Sequence, residues 1–181
     1  MPDPLAQPLQ RWHDFYLLVG GAAATLVGLM FVAISLGSRF LTQESLPGLR
    51  VFVDPTLIHF IYVLVIATVV VVPTLTRDPL GILLIIAGLL SFARALRMVP
   101  YMWQQTRKHV VDVHDWVWHL IAPSVSYLLF VGTGIGLVLR IDLAFNGLAF
   151  ASILLLIAGI RNAWDMVVWF ALKTETGPPP Q

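Results

Sequence analysis

The chain has 181 residues, of which 58% are apolar and only 12% are Asp, Glu, Lys or Arg, with a formal net charge of +1. Soluble domains carry about 25% charged residues, so the 11 basic and 10 acidic side chains are too few to cover a water-facing surface, and a soluble globule is excluded. The near-neutral balance also excludes the basic field that gathers nucleic acid, and the absence of cysteine excludes disulfides, thiolate metal sites and cysteine nucleophiles.

In chain order, Met1–Arg11 holds three prolines and one arginine. The apolar run after it exceeds the ~7–15 residues of a signal-peptide core, so the first span is expected to be retained. Apolar runs follow at about 15–36, 55–76, 79–103, 116–139 and 143–172, each at or above the ~20 residues that cross a bilayer core. Outer-membrane strands would read as alternating segments of ~10 residues, and no such alternation occurs. The predicted fold class is therefore all-α: a polytopic membrane helix bundle of five transmembrane helices in one domain, 1–176, followed by a disordered Pro-rich tail, 177–181, with membrane lipids as its surroundings.

Each run opens near an aspartate (Asp14, Asp54, Asp78, Asp115, Asp142) and closes on a base (Arg39, Arg77, Arg107 with Lys108, Arg140, Lys173), the order of sign that complements a helix dipole. Asp54-Pro55 and Asp78-Pro79 read as N-caps followed by proline at the first helical position. Arg11, Arg77 and Arg140 fall on one side, and Arg39, Arg50, Arg107, Lys108 and Lys173 on the other. The positive-inside rule then predicts the amino terminus outside and the carboxyl terminus in the cytoplasm. Pro73, Pro100 and Pro123 are expected to kink or end their helices, with the Ser124 and Ser126 hydroxyls positioned to satisfy freed carbonyls.

A rise of about 1.5 Å per residue converts position into depth. His59 and His119 each lie about one turn into a span that enters from the cytoplasm, while Arg94 and Arg97 of the third span and Arg161, Asn162 and Asp165 of the fifth come near the same inner layer. Ionisable groups in hydrocarbon cost about 2.5–3.5 kcal/mol on insertion scales, which makes this layer a candidate site for an ion, an anion or a lipid headgroup. Arg161 and Asp165, four apart, are expected to pair, with Arg94 and Arg97 projecting toward them and leaving positive charge over. The alternative is a ring of snorkelling anchors at helix ends, with Trp164 and Trp169 as belt residues. His109, His114 and His119 are five apart, which does not place them on one helical face.

Gly20, Ala24 and Gly28 in the first span follow small-xxx-small spacing, and Gly132 and Gly136 in the fourth lie at matching depth. Close packing of these two helices is expected, or else a contact between subunits. Gly132-Thr133-Gly134-Ile135-Gly136 lies mid-span with no preceding strand and is no phosphate loop.

His13-Asp14-Phe15-Tyr16 running into GGAAATLVGLMFVAISL, and Gly159-Ile160-Arg161-Asn162-Ala163-Trp164-Asp165, resemble segments of a group of uncharacterised small bacterial multi-pass membrane proteins. The resemblance implies a bacterial inner-membrane setting and no activity. Three functional expectations follow from the residues. The first is a homo-oligomeric channel or pore for small ions with the arginines at its inner mouth. The second is a redox protein holding haem through His59 and His119, and the third a non-catalytic subunit binding anionic lipid or a protein partner. No metal is expected, and no cofactor beyond that haem. An enzyme is not expected, since no span pairs carboxylates or sets a serine beside a histidine at one depth.

Overall fold

The computed structural model describes residues 6–37, 46–72, 75–107 and 113–175. Arg39, Pro73, Lys108, His109, Asp112 and the tail 177–181 lie outside the described residues, as do the side chains of Arg11, Arg50, Asp54, Trp169 and Lys173. The described chain forms five helices. These are α1 (Ala6–Gly37), α2 (Leu46–Val71), α3 (Arg77–Arg107), α4, and α5 (Ala144–Glu175). Helix α4 runs as an α-turn Val113–Trp116, a π-helical segment Val117–Ile121 and an α-helix Ala122–Val138.

Stretches in α1, α3, α4 and α5 are long and apolar enough to cross a membrane, and α2 contributes a shorter apolar stretch, Pro55–Val71. Their outward faces are apolar too: Leu18 is 73% exposed, Leu90 67% and Phe31 60%. A helix hydrophobic all round needs an apolar solvent, which lipid supplies.

The helices pack in the order α1, α2, α5, α4, α3, with α1 also touching α5. Helices α4 and α5 are central and bury the largest share of their spans, while α1 and α3 lie at the ends of the arc. Tyr16, Val63, Leu84, Phe130, Leu137, Leu148 and Leu155 form the main core, and Met30, Phe60 and Met166 a second cluster where α1, α2 and α5 meet.

Two features of the sequence pattern are corrected. Helix α2 begins at Leu46 and has Pro55 inside it, so Asp54 is no N-cap, and Asp14 is likewise interior to α1. The switch from polar to apolar residues marks the edge of the membrane, and these helices continue past it. Arg77 opens α3 instead of closing α2, and its position at the positive end of the dipole is offset by Asp142, 2.9 Å from its Nη2. Asp78 does lie in the first turn of α3, where it accepts from Arg140 at 3.0 Å. The two pairs cross-link the start of α3 to the turn between α4 and α5.

That turn has its own constraint. Arg140 has φ 63°, the left-handed region usually given to glycine. The Ile141 N–H donates to the Gly136 carbonyl at 2.8 Å and the Arg140 N–H to the Leu137 carbonyl at 3.1 Å, the two bonds of a Schellman C-cap. Both ends of the Arg140–Asp78 pair are exposed, so the pair contributes at most about 1 kcal/mol. Arg140→Gly is therefore expected to be about as stable as the parent and about 1 kcal/mol more stable than Arg140→Ala, which keeps the strain and loses the pair. Thermal unfolding in detergent of the three proteins checks this ranking.

Close helix contact is made by glycines other than those the spacing indicated. A Cβ on Gly134 would lie 2.5 Å from the Gly81 carbonyl oxygen, and one on Gly88 would lie 2.8 Å from the Tyr127 carbonyl oxygen, so α3 and α4 approach backbone to backbone. The expected pairing of the first and fourth spans gives way to α1 on α2, with Gly20 against the Ala67 methyl. Ala24 and Gly28 are exposed on α1, and Gly136 meets Ala144 of α5. Matching depth does not fix which helices are neighbours, and the lateral order was set by Gly81, Gly88 and Gly134.

Candidate functional site

At one end of the bundle, the end predicted to face the cytoplasm, the amino ends of α2 and α4 meet the carboxyl halves of α1, α3 and α5. Three contacts tie it together. Trp116 Nε1 donates to Thr106 Oγ1 at 2.8 Å between α4 and α3. Gly159 of α5 receives the Phe60 ring of α2 where a Cβ would stand only 2.5 Å from Cε1. Arg161 of α5 donates from Nε and Nη2 to His114 Nε2 of α4, at 3.2 and 3.0 Å.

Most of the predicted polar layer assembles here. Arg161 Nη1 pairs with Asp165 Oδ1 at 3.0 Å, four residues along α5 as expected, with the side chains 35% and 38% exposed. His119 stands in the π-helical segment with Nδ1 3.2 Å from the Asp115 carbonyl, and lies within electrostatic reach of Asp165 and His114. His59 is buried on α2, its ring 6.2 Å from that of Tyr127 and within electrostatic reach of His119 and Arg94. Among the described residues its Nδ1 has no hydrogen-bond partner, and the same is true of Asn162 Oδ1.

Helix α3 departs from the expectation. Arg94 and Arg97 do not meet the Arg161–Asp165 pair, because α3 packs against α4, which separates it from α5. Arg94 instead lies within electrostatic reach of Tyr127 on α4 and His59 on α2. Both arginines are exposed on α3, and neither joins an ion pair among the described residues. The surplus positive charge is thus carried on α3, apart from the Arg161–Asp165 pair on α5.

The π-helical segment explains a further partner. The Ala122 N–H donates to the Val117 carbonyl, five residues back. Continued by one residue, that register would require an N–H at position 123 for the Trp118 carbonyl, but Pro123 has none. Asn162 Nδ2 donates to this carbonyl from α5 in a long bond of 3.4 Å. Ser126, expected to serve a freed carbonyl, donates to Ala122 O at 3.1 Å, an acceptor that Pro123 did not strand. Pro123 was the visible signal in the sequence. Its partner on α5 was not, since that pairing depends on which helices adjoin.

The pairing of Arg161 with His114 and the approach of Arg94 to Tyr127 also escaped the sequence reading, which recognised depth but not lateral contact. Together the fold and this cluster define a polytopic α-helical membrane bundle with a polar network at one end. No family model, curated protein or solved structure matches the chain.

Proposed function

We propose that the chain is a multi-pass protein of the bacterial inner membrane, amino terminus outside and carboxyl terminus inside, and that it works as a non-catalytic membrane subunit binding anionic lipid headgroups at its inner rim. The observation that carries this reading is the position of Arg94 and Arg97. They stand exposed on α3, three residues apart and thus on one face, with no carboxylate in an ion pair with either among the described residues. Arginines placed so reach the headgroup layer by snorkelling and attract phosphate with about 1 kcal/mol each near an anionic surface. Arg161 contributes less, because Asp165 already neutralises it.

The Arg94→Gln, Arg97→Gln double variant is expected to lower affinity for anionic lipid by about 30-fold, the equivalent of about 2 kcal/mol, while Arg161→Gln changes it little. Native mass spectrometry of protein purified from vesicles of anionic and zwitterionic lipid measures both. Equal retention of anionic lipid by the parent and the double variant would reject the reading.

A homo-oligomeric pore for small ions is the second reading. An arc of five helices leaves any aqueous path to form between copies, and three glycine positions are open for such a contact. Among the described residues none of Gly21, Gly28 and Gly132 has an atom within 4 Å of an added Cβ, and Gly132 lines an apolar groove of about 450 Å³ with Gly136, Ala144 and Gly147. Ion flux into liposomes above that of empty vesicles, reduced by Arg94→Ala, would favour this reading over the first. A haem on His59 would have to open a packed site, since His59 is 3% exposed beside Tyr127. A Soret band in protein produced with haem supplied would revive that possibility.

A further inference from the structure

Two of the most deeply enclosed polar side chains in the inner half of the bundle each leave one atom unpaired. His59 and Asn162 are both 3% exposed, and His59 Nδ1 and Asn162 Oδ1 have no hydrogen-bond partner among the described residues. A buried polar atom without a partner carries its full desolvation penalty, which is why such atoms in folded proteins are nearly always satisfied by protein or by ordered water.

The two side chains stand on helices that pack on each other. Phe60 of α2 packs on Gly159 of α5, which sets these two stretches at a common level. Asn162 lies three residues beyond Gly159 toward the inner end of α5, and His59 directly precedes Phe60 toward the same end of α2. Both also border α4: Asn162 binds the Trp118 carbonyl, and the His59 ring lies 6.2 Å from that of Tyr127.

We infer that water enters from the inner end along the seam of α4 and α5 and stops at a hydrogen-bonding site shared by His59 Nδ1 and Asn162 Oδ1. The entrance is polar and open, because Asp165 and Arg161 keep about a third of their side-chain surface accessible, at 38% and 35%. His119, partly buried on α4, lies within electrostatic reach both of Asp165 at that entrance and of His59. Beyond the site Phe60, Val63, Phe130 and Leu155 are fully buried and apolar and close the path, with the Tyr62 hydroxyl, unpaired among the described residues, enclosed there, its ring 5.0 Å from that of Phe130. A water needs two to four polar partners. One donates to Asn162 Oδ1 and either accepts from or donates to His59 Nδ1, according to which ring nitrogen carries the proton. The inlet is thus blind, a hydrated pocket in the inner leaflet and not a pore.

Solid-state NMR of the full chain in lipid bilayers, with magnetisation transferred from mobile water, tests this directly. The His59 ring nitrogen and the Asn162 side-chain amide are expected to receive water magnetisation several-fold faster than the Phe60 and Leu155 side chains, and at a rate approaching that of exposed His13. Transfer to His59 and Asn162 as slow as to Phe60 would overturn the inlet. In Asn162→Leu, transfer to His59 is expected to fall several-fold with His13 unaffected; an unchanged rate at His59 would overturn the shared site. The measurement on the parent protein decides the inlet even if that variant does not fold.

Discussion

Gly134→Val is expected to destabilise the bundle by about 2–3 kcal/mol, among the largest effects of any single substitution in the membrane-embedded part of the chain. The atoms an added Cβ would meet are the Gly81 carbonyl oxygen at 2.5 Å, Ile85 Cγ1 at 2.8 Å and the Ile85 backbone nitrogen at 3.1 Å. Two of the three belong to the backbone, so no rotamer change relieves the clash and α3 must move away from α4. Within lipid, helix association rests on such close contact, because burying an apolar side chain against another helix gains little over burying it in acyl chains. Gly132→Val supplies the control. It lies on the same helix two residues away, with nothing within 4 Å of its added Cβ. Unfolding in increasing dodecyl sulfate should separate the two variants clearly. Equal stability would mean that the α3–α4 seam is looser than the glycine contacts indicate.

That contrast also shows what could be read from the sequence and what could not. The number of helices and their approximate extents were legible, because a lipid solvent demands long apolar runs with all backbone groups bonded internally. The termini were less so. Asp14 and Asp54 mark where apolar residues begin, yet α1 and α2 start several residues earlier, since a helix can continue through the headgroup layer without changing its hydrogen bonding. Depth was legible for the candidate site as well. Rise per residue alone brought His59, His119, Arg161, Asn162 and Asp165 to one level, and Arg161 found Asp165 because that pairing lies within one helix. Lateral order was not legible. Gly20 meets the Ala67 methyl whereas Gly132, at the same depth, has nothing within 4 Å of an added Cβ among the described residues, and Arg94 does not approach Asp165 because α4 stands in the way. Hydrophobicity around each helix is too uniform to single out one face, so the contacts that fix neighbours come from a few glycines whose role appears only once the helices are paired.

The second large effect concerns Asn162, whose contribution depends on a residue on another helix. Asn162→Leu removes the one donor to the Trp118 carbonyl found among the described residues and leaves that part-buried oxygen beside an apolar side chain, at an expected cost of about 1–2 kcal/mol. If the carbonyl is stranded because Pro123 lacks an N–H, the cost should shrink once position 123 regains one. Pro123→Ala restores a backbone donor that can serve the Trp118 carbonyl in the π register or the His119 carbonyl in the α register, and either choice lets the chain satisfy the oxygen within α4. The Asn162→Leu, Pro123→Ala double variant is therefore expected to be more stable than the sum of its single variants by about 1 kcal/mol, a coupling well above the scatter of additive sites. Strict additivity would show that Asn162 and Pro123 act independently, and the π-helical segment would then need a cause other than the proline that follows it. Coupling of the expected sign would mean that one imino acid in α4 determines both the local widening of that helix and the need for an amide on α5. The polar layer at that end of the bundle is then organised around a backbone defect, with the ionic groups gathered about it.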